Sequence, residues 1–181
     1  MSAFNLTQAI EILERTPVIL NSILNGLSQD WLNANEGENS WTPYDVVGHL
    51  IHGEKTDWVV RAKVILSQVE DKTFKPFDRF AQFQNSKGKT LEQLLDEFAQ
   101  LRLQNVDWLR SQILTPVQLE LTGMHPTFGT VTLTQLLATW VVHDLDHLYQ
   151  IVRVMALRYT ADVGPWIKFL KIINQNTPIR V

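Results

Sequence analysis

The sequence predicts an all-α protein: a four-helix bundle with long crossover connections and a short extra C-terminal helix. Three observations carry this expectation. Glycine and proline are sparse, 8 and 7 in 181 residues, and most lie between long periodic segments. Within those segments apolar residues recur at spacings of three and four, the period of a helix face turned toward a core. Helix-start signals open three of the segments.

The first segment runs from about Thr7 to Leu27, with Ile10, Leu13, Pro17, Leu20, Leu24 and Leu27 on one seam. Pro17 lies inside it and predicts a bend or a short break. Ser28 to Ser40 is a polar connection with room for one helical turn. The second helix is predicted over Pro43 to Gln68. Thr42 can cap it, Pro43 suits its first position, and Asp45 favours its positive end. Residues 70–89 form a long loop. The third helix starts at the capping box Thr90–Gln93 and runs to about Ile113, with Leu91, Leu94, Leu95, Phe98, Leu101, Val106 and Leu109 on its apolar side. Residues 119–132, rich in Gly, Pro and Thr, predict an irregular or hairpin-like loop. A second capping box, Thr132–Gln135, opens the fourth helix, expected from Leu133 to Arg158. After Gly164-Pro165 the apolar run Trp166 to Ile173 predicts a short helix across the bundle, followed by an irregular tail. The length suits one domain over 1–181.

Composition excludes several function classes. Apolar residues are 45% and charged residues 19%, with a formal charge of −3. No basic stripe or aromatic stacking platform for nucleic acid appears. The absence of cysteine removes disulfides, thiolate metal sites and a cysteine nucleophile. The first residues do not read as a signal peptide. No apolar stretch reaches the roughly 20 residues that span a bilayer; Leu133 to Val142 is cut short by His143, Asp144 and Asp146. A cytoplasmic protein is expected, with no membrane and no nucleic-acid partner.

Five histidines carry the chemistry: His49, His52, His125, His143 and His147. His143 and His147 are four apart, so on a helix they stack on one face. They share the apolar seam of Leu136, Trp140, Ile151 and Val154, which points them inward; Asp146, Gln150 and Arg153 fall on the solvated side. Val46, His49, Gly53, Val60 and Val64 form a seam on the second helix, so His49 also points inward. Gly53, one turn on, leaves space for a ligand. Buried imidazoles need partners, and a shared divalent metal supplies one. Read alone, the H-x3-H pattern is short, and hydrogen-bonded core histidines remain the competing account. Three nitrogen ligands leave a coordination position open, as in catalytic zinc sites. His52 is expected at the periphery, and His125 in a loop, bonded to backbone. Asp144 and Asp146 are candidates to orient the imidazoles. Glu54 and Asp57 are candidate bases against the commoner role of surface carboxylates. Trp58, Trp108 and Trp140 are expected in core packing, and Trp41 as a staple at a helix start.

These residues resemble a known family. Trp41 to Leu50, WTPYDVVGHL, resembles the W-[ST]-x2-[DE]-x2-G-H-L motif of the DinB-like superfamily. His125 to Leu133 resembles the loop before that family's last long helix. His143 to Ile151, HDLDHLYQI, resembles its H-x3-H-x2-Q-I helix, and Thr16-Pro17 also matches. The resemblance implies a four-helix bundle with a long crossover and a metal held by His49, His143 and His147, zinc or nickel being usual. It implies homodimers, and kinship with bacillithiol S-transferases and a mycothiol-dependent isomerase, in which the metal activates a low-molecular-weight thiol. The sequence itself shows no thiol pocket.

The leading expectation is a metal-dependent enzyme acting on a small-molecule substrate, either a thiol S-transferase or a hydrolase. The alternatives are a non-catalytic metal-binding stress or sensor protein, and a bundle whose histidines are structural. A ferritin-like di-iron site is disfavoured, because neither His143 nor His147 has a Glu three residues before it.

Overall fold

The computed structural model describes residues 4–174. In chain order the elements are α1 (Leu6–Leu24), α2 (Gln29–Leu32), α3 (Pro43–Thr56), α4 (Trp58–Leu66), α5 (Ala81–Asn85), α6 (Leu91–Ser111), α7 (Pro116–Leu119), β1 (Thr122–His125), β2 (Gly129–Thr132) and α8 (Leu133–Leu157). A 3₁₀ turn, Gly164–Phe169, and α9 (Lys171–Asn174) follow. The architecture is the expected helical bundle, built from α1, α3 with α4, α6 and α8. Its long helices start where the sequence signals them: Thr42, Thr90 and Thr132 each complete a capping box with Asp45, Gln93 and Gln135.

Two apolar clusters fill the bundle. One joins Ile10 and Leu13 of α1 to Ala62 and Ile65 of α4, Val106 and Leu109 of α6, and Leu133 to Trp140 of α8. The other joins Leu20 and Leu24 to Val46 and Leu50, Leu94 and Phe98, and Ile151. So α1 and α8 run from the first cluster toward the second, while α3–α4 and α6 run the other way. Because α4 ends and α6 begins at opposite ends, residues 67–90 must climb the length of the bundle. This is the crossover, and it does not hang free. Phe74 is buried in the first cluster, Thr73 bridges Met124 in parallel, and Tyr44 donates to the carbonyls of Ser86 and Lys89. Gly48 permits the close approach of this segment: a Cβ there would stand 2.4 Å from Ser86 Oγ.

The two clusters are separated by a polar layer. Arg102 Nη1 donates to Leu13 O (2.8 Å) and to Asp144 Oδ2, and Nη2 donates to Asp144 Oδ1 (3.0 Å) and Glu54 Oε1 (2.8 Å). Thr16 Oγ1 donates to Asp144 Oδ2 at 2.7 Å, Trp140 Nε1 to Glu54 Oε1 at 3.1 Å, and Asn105 to Glu54 Oε2 at 2.9 Å. Pro17 takes its place here. It produces no break, since α1 is continuous through it. A proline cannot donate to the carbonyl four residues back, and that carbonyl belongs to Leu13, the one Arg102 fills.

Two other expectations are corrected, and the hairpin-like reading of the loop at 119–132 is borne out. The second helix is not continuous. It breaks at Asp57 (φ −112°, ψ −86°), which turns Trp58, Val59, Ala62 and Ile65 inward and leaves Val60 45% exposed. The loop at 119–132 is an ordered antiparallel hairpin pairing Thr122 with Thr132 and His125 with Gly129. Its three-residue tip, Pro126 to Phe128, is followed by Gly129 at φ 75°, a left-handed geometry that glycine adopts without steric cost. The apolar run after Gly164 is a 3₁₀ turn plus one turn of helix, with Trp166 and Phe169 exposed. Of the irregular tail, residues 175–181 lie outside the described residues.

Candidate metal centre

The capping box at Thr42 fixes the start of α3 and so the azimuth of His49, seven residues on. The one at Thr132 fixes α8, which delivers His143 and His147 from one face. The three rings converge. His143 Nε2 lies 3.1 Å from His49 Nε2 and 3.1 Å from His147 Nε2, and one ligand atom from each of the three falls within 4.8 Å of the others. His49 is 4% and His147 3% exposed. Trp41 lies against His49 (ring centroids 4.7 Å) and stacks near His147 (6.2 Å). Trp58 meets His143 at 4.9 Å and Phe77 meets His49 at 5.5 Å.

The donor set fits a cation. His147 Nδ1 is 2.8 Å from Gln150 Oε1. With the amide oxygen as acceptor, Nδ1 holds the proton and Nε2 presents a bare lone pair. A ring nitrogen has either one hydrogen or one in-plane lone pair. His143 Nε2 therefore cannot satisfy both 3.1 Å neighbours by hydrogen bonding. Protonation offers no escape. Burial first, then the neighbouring His147, His52 and Arg79, holds His49 down to about 3. Burial, then His147 and His49, holds His143 down to about 2. Burial also lowers His147. Three neutral imidazoles with converging nitrogens are what a divalent metal of borderline softness binds.

The cluster opens on a cavity of about 630 Å³ that also reaches Gly53, Asp57, Trp58, Arg61, Phe77 and the hairpin residues His125 and Phe128. That volume suits a small-molecule ligand.

The remaining candidates divide. His52 is buried but stays outside the cluster, its ring against Phe77 at 4.8 Å. His125 accepts from the backbone N–H of Thr127 and Phe128, as expected. Asp144 does not orient an imidazole; it is fully buried against Arg102 and Thr16. Asp146 is exposed at the cavity. Glu54 and Asp57 are not surface carboxylates: both are buried, Glu54 on Arg102 and Asp57 beside Arg61. Gln150 and Arg153, assigned to the solvated side, are 2% and 4% exposed. Gln150 is the imidazole's orienting partner, and the signal for it was its place in the H-x3-H-x2-Q-I pattern. Space at Gly53 serves the protein first: a Cβ there would stand 3.1 Å from Trp58 Nε1. Trp41 is more than a staple, since it walls two of the three rings.

A bundle with this chain path and three inward histidines defines a class of candidate metalloproteins. A family model of the DinB superfamily matches residues 12–151, and the chain belongs to that superfamily. Among solved structures it is similar to YfiT from Bacillus subtilis, with 22% identity over 89% of this chain and 90% of that one and a TM-score of 0.73. YfiT is described as a probable metal-dependent hydrolase with an unusual four-helix bundle topology. At that identity the likeness establishes the fold. No curated protein matches the chain. No helix among the described residues is long and apolar enough to cross a membrane.

Proposed function

We propose that the protein is a metal-dependent hydrolase of a small molecule, with His49, His143 and His147 holding one divalent ion, zinc or nickel. The observation that carries this reading is the convergence of three neutral imidazole nitrogens at one end of a ligand-sized cavity. A divalent ion held by three protein nitrogens supplies Lewis acidity and lowers the pKa of water or of a thiol. The chain's own residues do the rest. Gln150 fixes the tautomer of His147. Trp41, Trp58 and Phe77 exclude bulk water from the rings. The description of YfiT supports hydrolysis over transfer to a low-molecular-weight thiol. Assembly as a homodimer belongs to the same proposal and is read by light scattering.

The test is metal content of untagged protein by plasma mass spectrometry, beside the His143→Ala variant, followed by ester, amide and thiol-transfer assays. We expect about one zinc or nickel per chain, lost in the variant together with turnover. Protein that takes up no metal even after reconstitution would sink the proposal. Turnover only in the presence of an added thiol would replace hydrolysis with S-transfer.

A further inference from the structure

The cavity wall carries a second polar group, outside the three-histidine cluster. His49, Gly53, Asp57 and Arg61 succeed one another at intervals of four, and all line the cavity. Arg61 lies on α4, twelve residues beyond His49 and past the break at Asp57, and it sits over Phe74, which meets the hairpin's His125. In the hairpin His125 and Phe128 stack at 4.5 Å. The Arg61 guanidinium lies 5.3 Å from the centroid of the Phe74 ring. Phe74 can reach that position because residue 123 is glycine: a Cβ there would meet the ring at 2.5 Å.

Arg61 and Asp57 form an incomplete pair. Nη1 stands 2.8 Å from Oδ1, yet Oδ1 is sealed from solvent and receives no aligned hydrogen bond. Nε and Nη2 of Arg61 and Oδ2 of Asp57 find no protein partner among the described residues, and none of the three is sealed. Both residues are nonetheless buried, 7% and 8% exposed. Burial outweighs their mutual attraction, pushing Asp57 up to about 6 and Arg61 down. Two donors and one acceptor are thus left without protein partners on two buried side chains that line the cavity.

We propose that this pair recognises a carboxylate that carries a hydrogen-bond donor on the neighbouring carbon, the head group of an α-amino or α-hydroxy acid. Arg61 Nε and Nη2 donate to the carboxylate, and the ligand's N–H or O–H donates to Asp57 Oδ2. The apolar remainder lies along Trp58, Phe77 and Phe128 toward the histidines. A bare carboxylate leaves Asp57 unserved, and a bare amine leaves Arg61 unserved. The inference rests on the proposed function only in taking this cavity as the ligand site.

The experiment is titration by calorimetry, on metal-free and metal-loaded protein, with L-phenylalanine, 3-phenyllactate, 3-phenylpropanoate and 3-phenylpropylamine. We expect phenylalanine and phenyllactate to bind about tenfold or more tighter than phenylpropanoate, as a hydrogen bond to a charged group commonly provides. The amine should bind weakest. Arg61→Gln should weaken every carboxylate about tenfold or more. Asp57→Ala should abolish the advantage of the α-substituent while leaving phenylpropanoate bound. Should Arg61→Gln fail to fold, Arg61→Lys carries the same comparison, and the ligand order on unaltered protein stands without any variant. Equal binding of amine and acid, no detectable binding of any carboxylate, or an order indifferent to Arg61 overturns the proposal. Because the ligand order is read on metal-free protein too, it can fail while the metal centre stands, and the reverse.

Discussion

Replacing Arg102 by Leu leaves two carboxylates stranded. Glu54 and Asp144 are 3% and 0% exposed, and Arg102 itself is 1%. Its guanidinium bridges both and also fills the carbonyl of Leu13. Removing one partner of a buried ion pair costs about 3–5 kcal/mol, because the other charge stays desolvated and unpaired. Here one substitution strands two, so the upper end, about 5 kcal/mol, is expected. That is a large share of the roughly 5–15 kcal/mol that holds a domain together. With a urea dependence near 2 kcal/mol per molar, the unfolding midpoint should fall by about 2.5 M. The matched control replaces the whole charge set, Glu54→Met with Arg102→Leu and Asp144→Leu. Wholesale apolar replacement of such sets is often neutral, although Leu13 O, Asn105 and Trp140 Nε1 lose partners. The triple variant should therefore recover at least half of the loss. A loss under about 1 kcal/mol for Arg102→Leu would place the variant among ordinary surface substitutions and refute the claim that this layer is desolvated.

Three other perturbations probe different parts of the argument. Gln150→Ala removes the acceptor on His147 Nδ1; metal affinity, measured by competition with a chromophoric chelator, should drop about 10- to 100-fold with the helical circular dichroism unchanged. Gly123→Ala drives a methyl into Phe74 and should cost about 1–3 kcal/mol in urea unfolding, with no change in metal content. Metal-free protein should lose stability on acidification. His49, His143 and His147 have folded-state pKa values below the ordinary 6.5, so below about pH 6.5 the unfolded chain binds protons that the folded one refuses. The stability these groups contribute is present above 6.5 and falls as the pH drops toward their lowered folded values, about 3 for His49 and about 2 for His143, by up to about 1.4 kcal/mol per pH unit for each imidazole. His143→Ala should flatten that slope, and an unchanged slope would mean that the rings are not held neutral.

Much of the site was legible in the sequence, and the parts that were not share a cause. His143 and His147 could be placed on one inward face because α8 is a single uninterrupted helix, over which a period of 3.6 residues holds. The same arithmetic failed on the second helix, where Val60 was put on the seam. A break at Asp57 resets the azimuth, and no glycine or proline announces it. The misplacement of Gln150 and Arg153 came from polarity standing in for exposure. Each is buried with a partner: for Gln150 the His147 ring three residues back, and for Arg153 the distant Glu36 and the carbonyl of Ile172. Arg102 left a trace, a charge on the inner seam between Phe98 and Val106, but its carboxylates come from positions 48 and 42 residues away.

The polar layer explains why the metal centre can be held by only three side chains from two helices. Arg102 on α6 grips Glu54 on α3, Asp144 on α8 and the freed carbonyl of Leu13 on α1. All four bundle segments are tied at one level. Glu54 lies five residues beyond His49, and Asp144 adjoins His143. The layer thus fixes the relative rotation and slide of α3 and α8, the two freedoms that would separate His49 from the other two rings. Apolar packing alone tolerates rearrangement among similar volumes, whereas a polar set bonded across four segments, with Arg102 Nε alone of the guanidinium nitrogens lacking a partner, has few satisfying arrangements. On this account the triple apolar variant, though it recovers at least half of the stability lost with Arg102→Leu, should bind metal more weakly than the protein with its layer intact. Equal metal affinity in the two would separate the layer from the site and leave Pro17, Arg102 and Asp144 with a role in folding alone.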